Sequence, residues 1–142
     1  MYHLTGMDVA ATQTIGNVKR HIAATAYVLV FALGDYAFGS ATWGHWWADL
    51  GWTIASLAAA LACFSAARHL SGRYRRAWKL FGAGCFAWFL GMLVWDYNEL
   101  AAGRITPFPA PSDLGFLALA PLFVAGLMVR FTRTPSGTAI LR

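Results

Sequence analysis

The sequence predicts an all-α integral membrane protein in which four helices form a bundle, with both termini in the cytoplasm. Its 142 residues are 58% hydrophobic and only 12% charged, whereas a soluble domain carries about 25% charged residues. Four apolar runs are long enough to cross a bilayer, and nearly all basic residues lie on one side of them. Only helices and closed barrels can span the hydrocarbon core, and these runs lack the alternation of barrel strands.

The apolar runs define the predicted transmembrane domain, residues 19–133. The runs are 17, 22, 21 and 18 residues long and cover residues 22–38, 46–67, 80–100 and 114–131. A membrane-spanning helix needs about 17–25 residues. Residues 1–18 are predicted to form either a cytoplasmic tail or an interfacial helix, and the sequence leaves that choice open. Residues 134–142 are predicted to form a cytoplasmic tail.

The distribution of basic residues predicts the orientation. Ten of the eleven Lys and Arg residues precede helix 1, occupy the loop between helices 2 and 3, or close helix 4. Only Arg104 lies on the other side. Cytoplasmic loops carry an excess of Lys and Arg, so both termini are predicted to be cytoplasmic. Because a juxtamembrane basic belt accounts for the net charge of +5, no nucleic-acid partner is expected.

Small residues predict a close approach of helices 2 and 3. The small residues of helix 2 recur at intervals of four at Ala55, Ala59, Cys63 and Ala67, with Ser56 and Ala60 alongside, and helix 3 offers Gly82, Gly84, Ala87 and Gly91. Such residues let helix backbones approach each other in a bilayer. The predicted packing positions are Ala55, Ala59, Cys63, Gly84 and Gly91. Cys63 and Cys85 lie at comparable predicted depth, and we interpret them as packing residues rather than as a redox or metal pair.

The loop between helices 3 and 4 is predicted to be rigid. Between Thr106 and Asp113 it contains three prolines, each of which restricts its own backbone and that of the preceding residue. Ser112 or Asp113 can then cap helix 4.

Acidic residues gather at the predicted outer ends of the helices. Each helix brings at least one carboxylate to this side, and only Asp8 lies elsewhere. Five of the seven tryptophans fall at the same level. We call this region the outer rim, and its candidate ligand-binding or partner-binding residues are Asp35, His45, Asp49, Trp95, Asp96, Glu99 and Asp113.

Three interpretations of the outer rim stay open. It is typical of an aromatic belt at the level of the lipid headgroups, with carboxylates that reach water or cap helices. It also fits an acidic, aromatic pocket for a cationic or amphipathic ligand. His45 and Asp49 lie one helical turn apart, as two metal ligands on one helix face would, but a single pair is a weak signal and no metal is predicted.

No cofactor and no enzymatic activity are predicted. His21 and His69 lie beside Arg20 and Arg68 at the cytoplasmic boundary, as interfacial residues do, which argues against haem. The sequence has no Ser-His-Asp or Cys-His arrangement, no phosphate-binding glycine loop and no His-Glu-x-x-His motif. No catalytic residue is therefore assigned.

The second half of the chain resembles a known family. The similar segments are AARHLSGRYRRAWKL (66–80), WFLG (88–91), WDYNEL (95–100), PFPAPSD (107–113) and the Pro-Leu pair that begins at Pro121. They are similar to the multi-pass membrane sensory region that precedes diguanylate cyclase, phosphodiesterase or histidine kinase domains in bacterial signalling proteins. The most specific part is Trp…Glu-Leu followed by Pro-Phe-Pro-x-Pro-Ser-Asp.

The resemblance implies a multi-pass protein of the bacterial inner membrane, with a cytoplasmic output domain after the last helix. These 142 residues contain no Gly-Gly-Asp-Glu-Phe signature and no phosphoacceptor histidine box. Two functions are therefore predicted as alternatives. One is a non-enzymatic sensory or interaction module, and the other is an accessory subunit that stabilises a larger membrane complex, for example an energy-transducing one. The expected partners are the lipid bilayer and either other membrane subunits or an output domain.

Overall fold

The computed structural model describes residues 3–39 and 42–131, and all regular structure in these ranges is helical. Four α-helices follow one another along the chain: α1 (His3–Phe38), α2 (Thr42–Arg68), α3 (Gly72–Asp96) and α4 (Pro111–Phe131). A π-helical turn, Tyr97–Ala101, continues α3. The predicted all-α class is confirmed.

Each of these helices contains a segment that is long and apolar enough to cross a membrane. The four segments are Val18–Phe38, Trp43–Arg68, Gly72–Ala101 and Pro111–Phe131. The protein is therefore a multi-pass membrane protein by the length and composition of its helices. Its orientation in the membrane, with both termini in the cytoplasm, stays a prediction.

All four helices begin earlier than the predicted apolar runs. The runs are predicted from residues 22, 46, 80 and 114, whereas the helices begin at His3, Thr42, Gly72 and Pro111. The differences are largest for α1 and α3. The added first turns of α3 are rich in Arg and Lys, which are good helix formers. Apolar composition identifies the part of a helix that can lie in lipid. The helix itself can extend beyond that part where the polar residues that flank it have a high helix propensity. The predicted tail of 134–142 lies outside the described residues.

The chain divides into two compact units, Met1–Ala48 and Asp49–Arg142. In the first unit, the end of α1 packs against the first turns of α2. The indole Nε1 of Trp47 donates a hydrogen bond to the carbonyl oxygen of Phe31 at 3.0 Å, and the indole ring lies 5.9 Å from the ring of Phe38. Gly34 lies directly under the indole, where a Cβ atom would collide with the ring. A glycine is thus required at the centre of this contact.

In the second unit, α3 and α4 cross at a pair of glycines. A Cβ atom on Gly115 would lie 2.5 Å from the carbonyl oxygen of Ala87 and 2.8 Å from the backbone nitrogen of Gly91. A Cβ atom on Gly91 would lie 2.8 Å from the carbonyl oxygen of Ser112 and 2.9 Å from the ring of Phe116. The two backbones are therefore in direct contact, which is how helices gain van der Waals energy in lipid.

Glycines further along the same two helices receive aromatic rings from the partner helix. Gly84 on α3 faces the ring of Phe123, and Gly126 on α4 faces the ring of Phe81. The two rings also contact each other, with centroids 5.2 Å apart. Gly84 and Gly91 thus lie at a helix contact, but the neighbour is α4, whereas the sequence suggested helix 2. Gly82, also among the predicted glycines of helix 3, does face α2, where the ring of Phe64 would lie 2.8 Å from a Cβ atom.

The face of α2 that packs in the second unit includes part of the predicted small-residue stripe. Ala60 and Ala67 are buried, with exposed fractions of 0% and 3%. Ala59 is exposed, whereas Ala55 and Cys63 are half-buried. Cys63 and Cys85 are both free, without a disulfide. Of the predicted small residues of α2, Ala60 and Ala67 are thus the buried ones.

The buried hydrophobic residues are small. In the described part of the chain they are Ala60, Ala67, Ala77, Met92 and Ala110. Large hydrophobic side chains lie on the surface on all four helices, including Leu33, Leu61, Leu90 and Leu117. A soluble protein has the reverse arrangement. This distribution suits a protein whose surface meets lipid and whose helices approach through small residues.

Candidate functional site

The polar residues of the second unit concentrate where α3 ends and α4 begins. We call this region the acidic end and define it by Thr53, Asp96, Glu99, Thr106, Ser112 and Asp113. Thr53 lies on α2, Asp96 closes α3, Glu99 lies in the π turn, and the other three belong to the following loop and the first turn of α4. Three of the seven predicted rim residues, Asp96, Glu99 and Asp113, are thus part of one region.

Asp96 is held by a hydrogen bond from the neighbouring helix. The hydroxyl Oγ1 of Thr53 donates to Oδ2 of Asp96 at 2.6 Å. The other carboxylate oxygen, Oδ1, is buried and has no hydrogen-bond partner among the described residues. A buried polar atom without a partner costs about 1–3 kcal/mol, and ionisable groups inside membrane segments tend to mark functional positions. Oδ1 is therefore a free acceptor at a fixed position.

The π turn separates the directions of Asp96 and Glu99. On a regular α-helix, residues three apart lie on one face. The wider π turn, which begins at Tyr97, rotates successive side chains less per residue. Asp96 accordingly binds α2, whereas Oε1 of Glu99 accepts a hydrogen bond from the backbone nitrogen of Thr106 in the next loop at 3.0 Å. The prediction of one uninterrupted helix over 80–100 missed this division.

Asp113 fixes the start of α4. Pro111 is the first residue of the helix, a favoured proline position. Oδ2 of Asp113, two residues later, accepts a hydrogen bond from the backbone nitrogen of Ala110 at 2.7 Å. The carboxylate thus reaches back to the residue before the helix, as the acidic residue of a capping box does. Of the two predicted caps, Asp113 has this role.

Ser112 is the most enclosed polar residue of the acidic end. Its exposed fraction is 0%, and its Oγ has no hydrogen-bond partner in the described part of the chain. The Oγ1 atom of Thr106 is likewise buried without a partner there. Both hydroxyls can donate as well as accept. The acidic end therefore holds a carboxylate oxygen and two hydroxyls whose hydrogen-bonding capacity is unused.

The remaining predicted rim residues have different surroundings. Trp95 is half-buried, and its ring lies 6.3 Å from the ring of Phe116 on α4, so it contributes to helix packing. Asp49 is half-buried at the start of the second unit. Asp35 and His45 belong to the first unit, where both side chains are exposed.

Sequence reasoning missed Thr53, Thr106 and the burial of Ser112. Thr53 stands in a long apolar run, where its hydroxyl is the kind of group that bonds across helices in membranes. A threonine at the same predicted depth as Asp96 was the available signal. The pairing of Thr53 with Asp96 depends on the rotation of α2 about its own axis, and amino-acid composition does not determine that rotation.

The acidic end can bind a hydrogen-bond donor or a small cation through Asp96. Among the described residues, no group of three or more His, Cys, Asp or Glu side chains is placed to hold a metal ion. The acidic end thus offers one carboxylate with an unused oxygen and two buried hydroxyls that have no partner among the described residues.

No protein-family model matches the chain, and no curated protein or solved structure is significantly similar to it. The resemblance to a bacterial sensory region therefore stays a prediction from the segments quoted above.

Proposed function

We propose that the protein is a non-enzymatic membrane interaction module of the sensory type, which recognises a ligand or partner at the acidic end. The observation that carries the proposal is the Asp96 carboxylate, which has one oxygen fixed by Thr53 and the other buried without a donor. A group that donates a hydrogen bond to Oδ1 would remove the cost of leaving it unpaired.

The chemistry favours an occupant with a donor or a positive charge. Glu99 and Asp113 already accept hydrogen bonds from backbone nitrogens, so Asp96 is the carboxylate with a buried oxygen left unused. The next residue along the chain, Tyr97, is 63% exposed. An ammonium or guanidinium group of a ligand or of a partner helix supplies both the donor and the positive charge that Oδ1 of Asp96 can accept.

Photocrosslinking in native membranes tests this function. A photoreactive phenylalanine derivative in place of Tyr97 reports what lies at the exposed position that follows Asp96. The same derivative in place of Leu127, which is 46% exposed on α4, reports what lies beside an ordinary apolar surface. We expect a discrete adduct from position 97, with lipid adducts alone from position 127.

The decisive comparison is between the parent chain and a variant that lacks the Asp96 carboxylate. In the Asp96→Asn variant the position-97 adduct should fall by roughly tenfold or more, because loss of one charge-assisted hydrogen bond is worth about 1.5–3 kcal/mol. An adduct that persists unchanged in Asp96→Asn, or lipid adducts alone at both positions, would show that the acidic end is only a polar border of the membrane segment.

An accessory-subunit function is the second candidate, and the first unit favours it. Within that unit the end of α1 contacts Trp47, whereas its apolar residues from Ile22 to Val30 are exposed. A helix with this much exposed apolar length can pack against other membrane proteins. Purification in mild detergent followed by mass spectrometry distinguishes the candidates, since a subunit is expected to retain partners in fixed stoichiometry.

A further inference from the structure

A cavity of about 260 Å³ lies between the end of α2 and the beginning of α3, at the end of the second unit remote from Asp96. It is lined by Phe64, Ala67, Arg68, Arg75 and Lys79. Arg75 and Lys79 are one helical turn apart on α3, as Phe64 and Arg68 are on α2. Two adjacent turns of each helix thus build the wall, and we call this cavity the basic pocket.

The basic pocket carries three positive charges that are remote from the acidic residues of its unit. The described carboxylates of the second unit belong to Asp49, Asp96, Glu99 and Asp113. Asp49 and Arg68 lie 19 residues apart on one helix, which is roughly 28 Å at 1.5 Å per residue. This distance exceeds the screening length of about 8 Å at physiological salt. The cations of the pocket therefore attract an external anion.

Part of the lining of the basic pocket is apolar. Phe64 and Ala67 contribute to its lining, and the Phe64 ring occupies the space that Gly82 leaves open on α3. The pocket also lies where two potential membrane spans meet the polar region, because one span ends at Arg68 and the next begins at Gly72. Cationic side chains beside an apolar lining, at the end of two potential spans, suit a phospholipid, which joins a charged headgroup to acyl chains.

We propose that the basic pocket binds the phosphate of an anionic phospholipid headgroup, with Arg68, Arg75 and Lys79 as the phosphate ligands and Phe64 against the apolar part of the lipid. A free phosphate ion has the same charge, but it has no apolar part that could contact Phe64 and Ala67. Basic pockets between membrane helices are a recurrent site for such headgroups. The site is independent of the acidic end.

Native mass spectrometry of the full chain in a zwitterionic detergent tests the site. The probes are phosphatidylglycerol, phosphatidylcholine with the same acyl chains, and inorganic phosphate. Arg75→Gln and Lys79→Gln each remove one cation from the basic pocket. Arg76→Gln is the matched control, because Arg76 is the adjacent exposed arginine of the same helix but does not line the pocket.

We expect phosphatidylglycerol to bind more tightly than phosphatidylcholine, and Arg75→Gln and Lys79→Gln each to weaken it about fivefold, the effect of one basic residue near a lipid surface. Arg76→Gln should change the affinity less than twofold, and all variants should keep the helical circular dichroism of the parent because the replaced residues are exposed. Equal weakening by Arg75→Gln and Arg76→Gln would mean a diffuse basic surface and overturn the proposal. Binding of inorganic phosphate without any preference between the two lipids would also overturn it, and would assign the pocket to a soluble anion.

Discussion

At the scale of single residues, the hydrogen bond between Thr53 and Asp96 is the most consequential contact. It joins α2 to the end of α3 at 2.6 Å, and it fixes one oxygen of a carboxylate inside a segment that can span a membrane. Hydrogen bonds between membrane helices average about 0.6 kcal/mol. The hydrogen bond from Thr53 matters more than this average, because its loss would leave both carboxylate oxygens of Asp96 without a partner among the described residues.

We expect Thr53→Val to lower the free energy of unfolding by about 1–3 kcal/mol, because valine keeps the shape of threonine but leaves Oδ2 of Asp96 unpaired. The measurement is equilibrium unfolding of the full chain in mixed micelles, followed by circular dichroism. Ser56→Ala is the control, since the Ser56 hydroxyl bonds to the carbonyl oxygen of Thr53 within the same helix and such local bonds contribute little. Equal losses in the two variants would contradict a special contribution from the Thr53–Asp96 pair.

At the scale of elements, helix packing depends on positions where one helix offers no side chain. Gly91 and Gly115 bring the backbones of α3 and α4 together, and Gly82 accepts the ring of Phe64 from α2. The predicted principle, close approach through small residues, therefore describes the second unit. On α2 the predicted small residues Ala60 and Ala67 are buried, whereas Ala59 is exposed.

Adjacent alanines on α2 provide a test of that difference in burial. Ala60→Leu should lower the free energy of unfolding by about 1–3 kcal/mol, since the added carbons have no space at a position with 0% exposure. Ala59→Leu should change it by less than about 0.5 kcal/mol, as exposed substitutions do. Both variants are measured by the same unfolding in mixed micelles. A larger loss of unfolding free energy for Ala59→Leu than for Ala60→Leu would show that Ala59 lies at the helix contact.

At the scale of the whole molecule, the charged residues are separated by sign along the length of the helices. Basic residues cluster at the loop between α2 and α3, and carboxylates cluster at the opposite ends of the same helices. The positive-inside rule then predicts that the α2–α3 loop is cytoplasmic and the α3–α4 loop is not.

Cysteine labelling measures this topology. In a chain with Cys63→Ala and Cys85→Ala, single cysteines are introduced by His69→Cys in the α2–α3 loop and by Ile105→Cys in the α3–α4 loop. A membrane-impermeant maleimide should label intact cells at position 105, which is 90% exposed, and should label position 69 only after the cells are permeabilised. The reverse pattern would overturn the predicted orientation.

Much of the fold could be predicted because a bilayer imposes simple requirements. A segment that crosses it must satisfy its backbone internally and must be apolar over about 20 residues, and the runs around Leu61, Leu90 and Leu117 meet both conditions. The candidate site could be predicted only in part. Asp96, Glu99 and Asp113 were recognisable as charges near helix ends, but the partner of Asp96 and the π turn at Tyr97 depend on helix rotation.

The sequence by itself determined the helical class, the number of membrane-spanning segments in the described chain and the separation of basic from acidic ends. Only the tertiary structure decided which face of α2 is packed, that Thr53 holds Asp96, and that Phe64 and Lys79 line one cavity. The physical reason is that lipid and protein interior are equally apolar. Hydrophobicity therefore identifies a membrane helix but does not orient it, and its rotation is set by steric fit at small residues and by the pairing of its few polar groups.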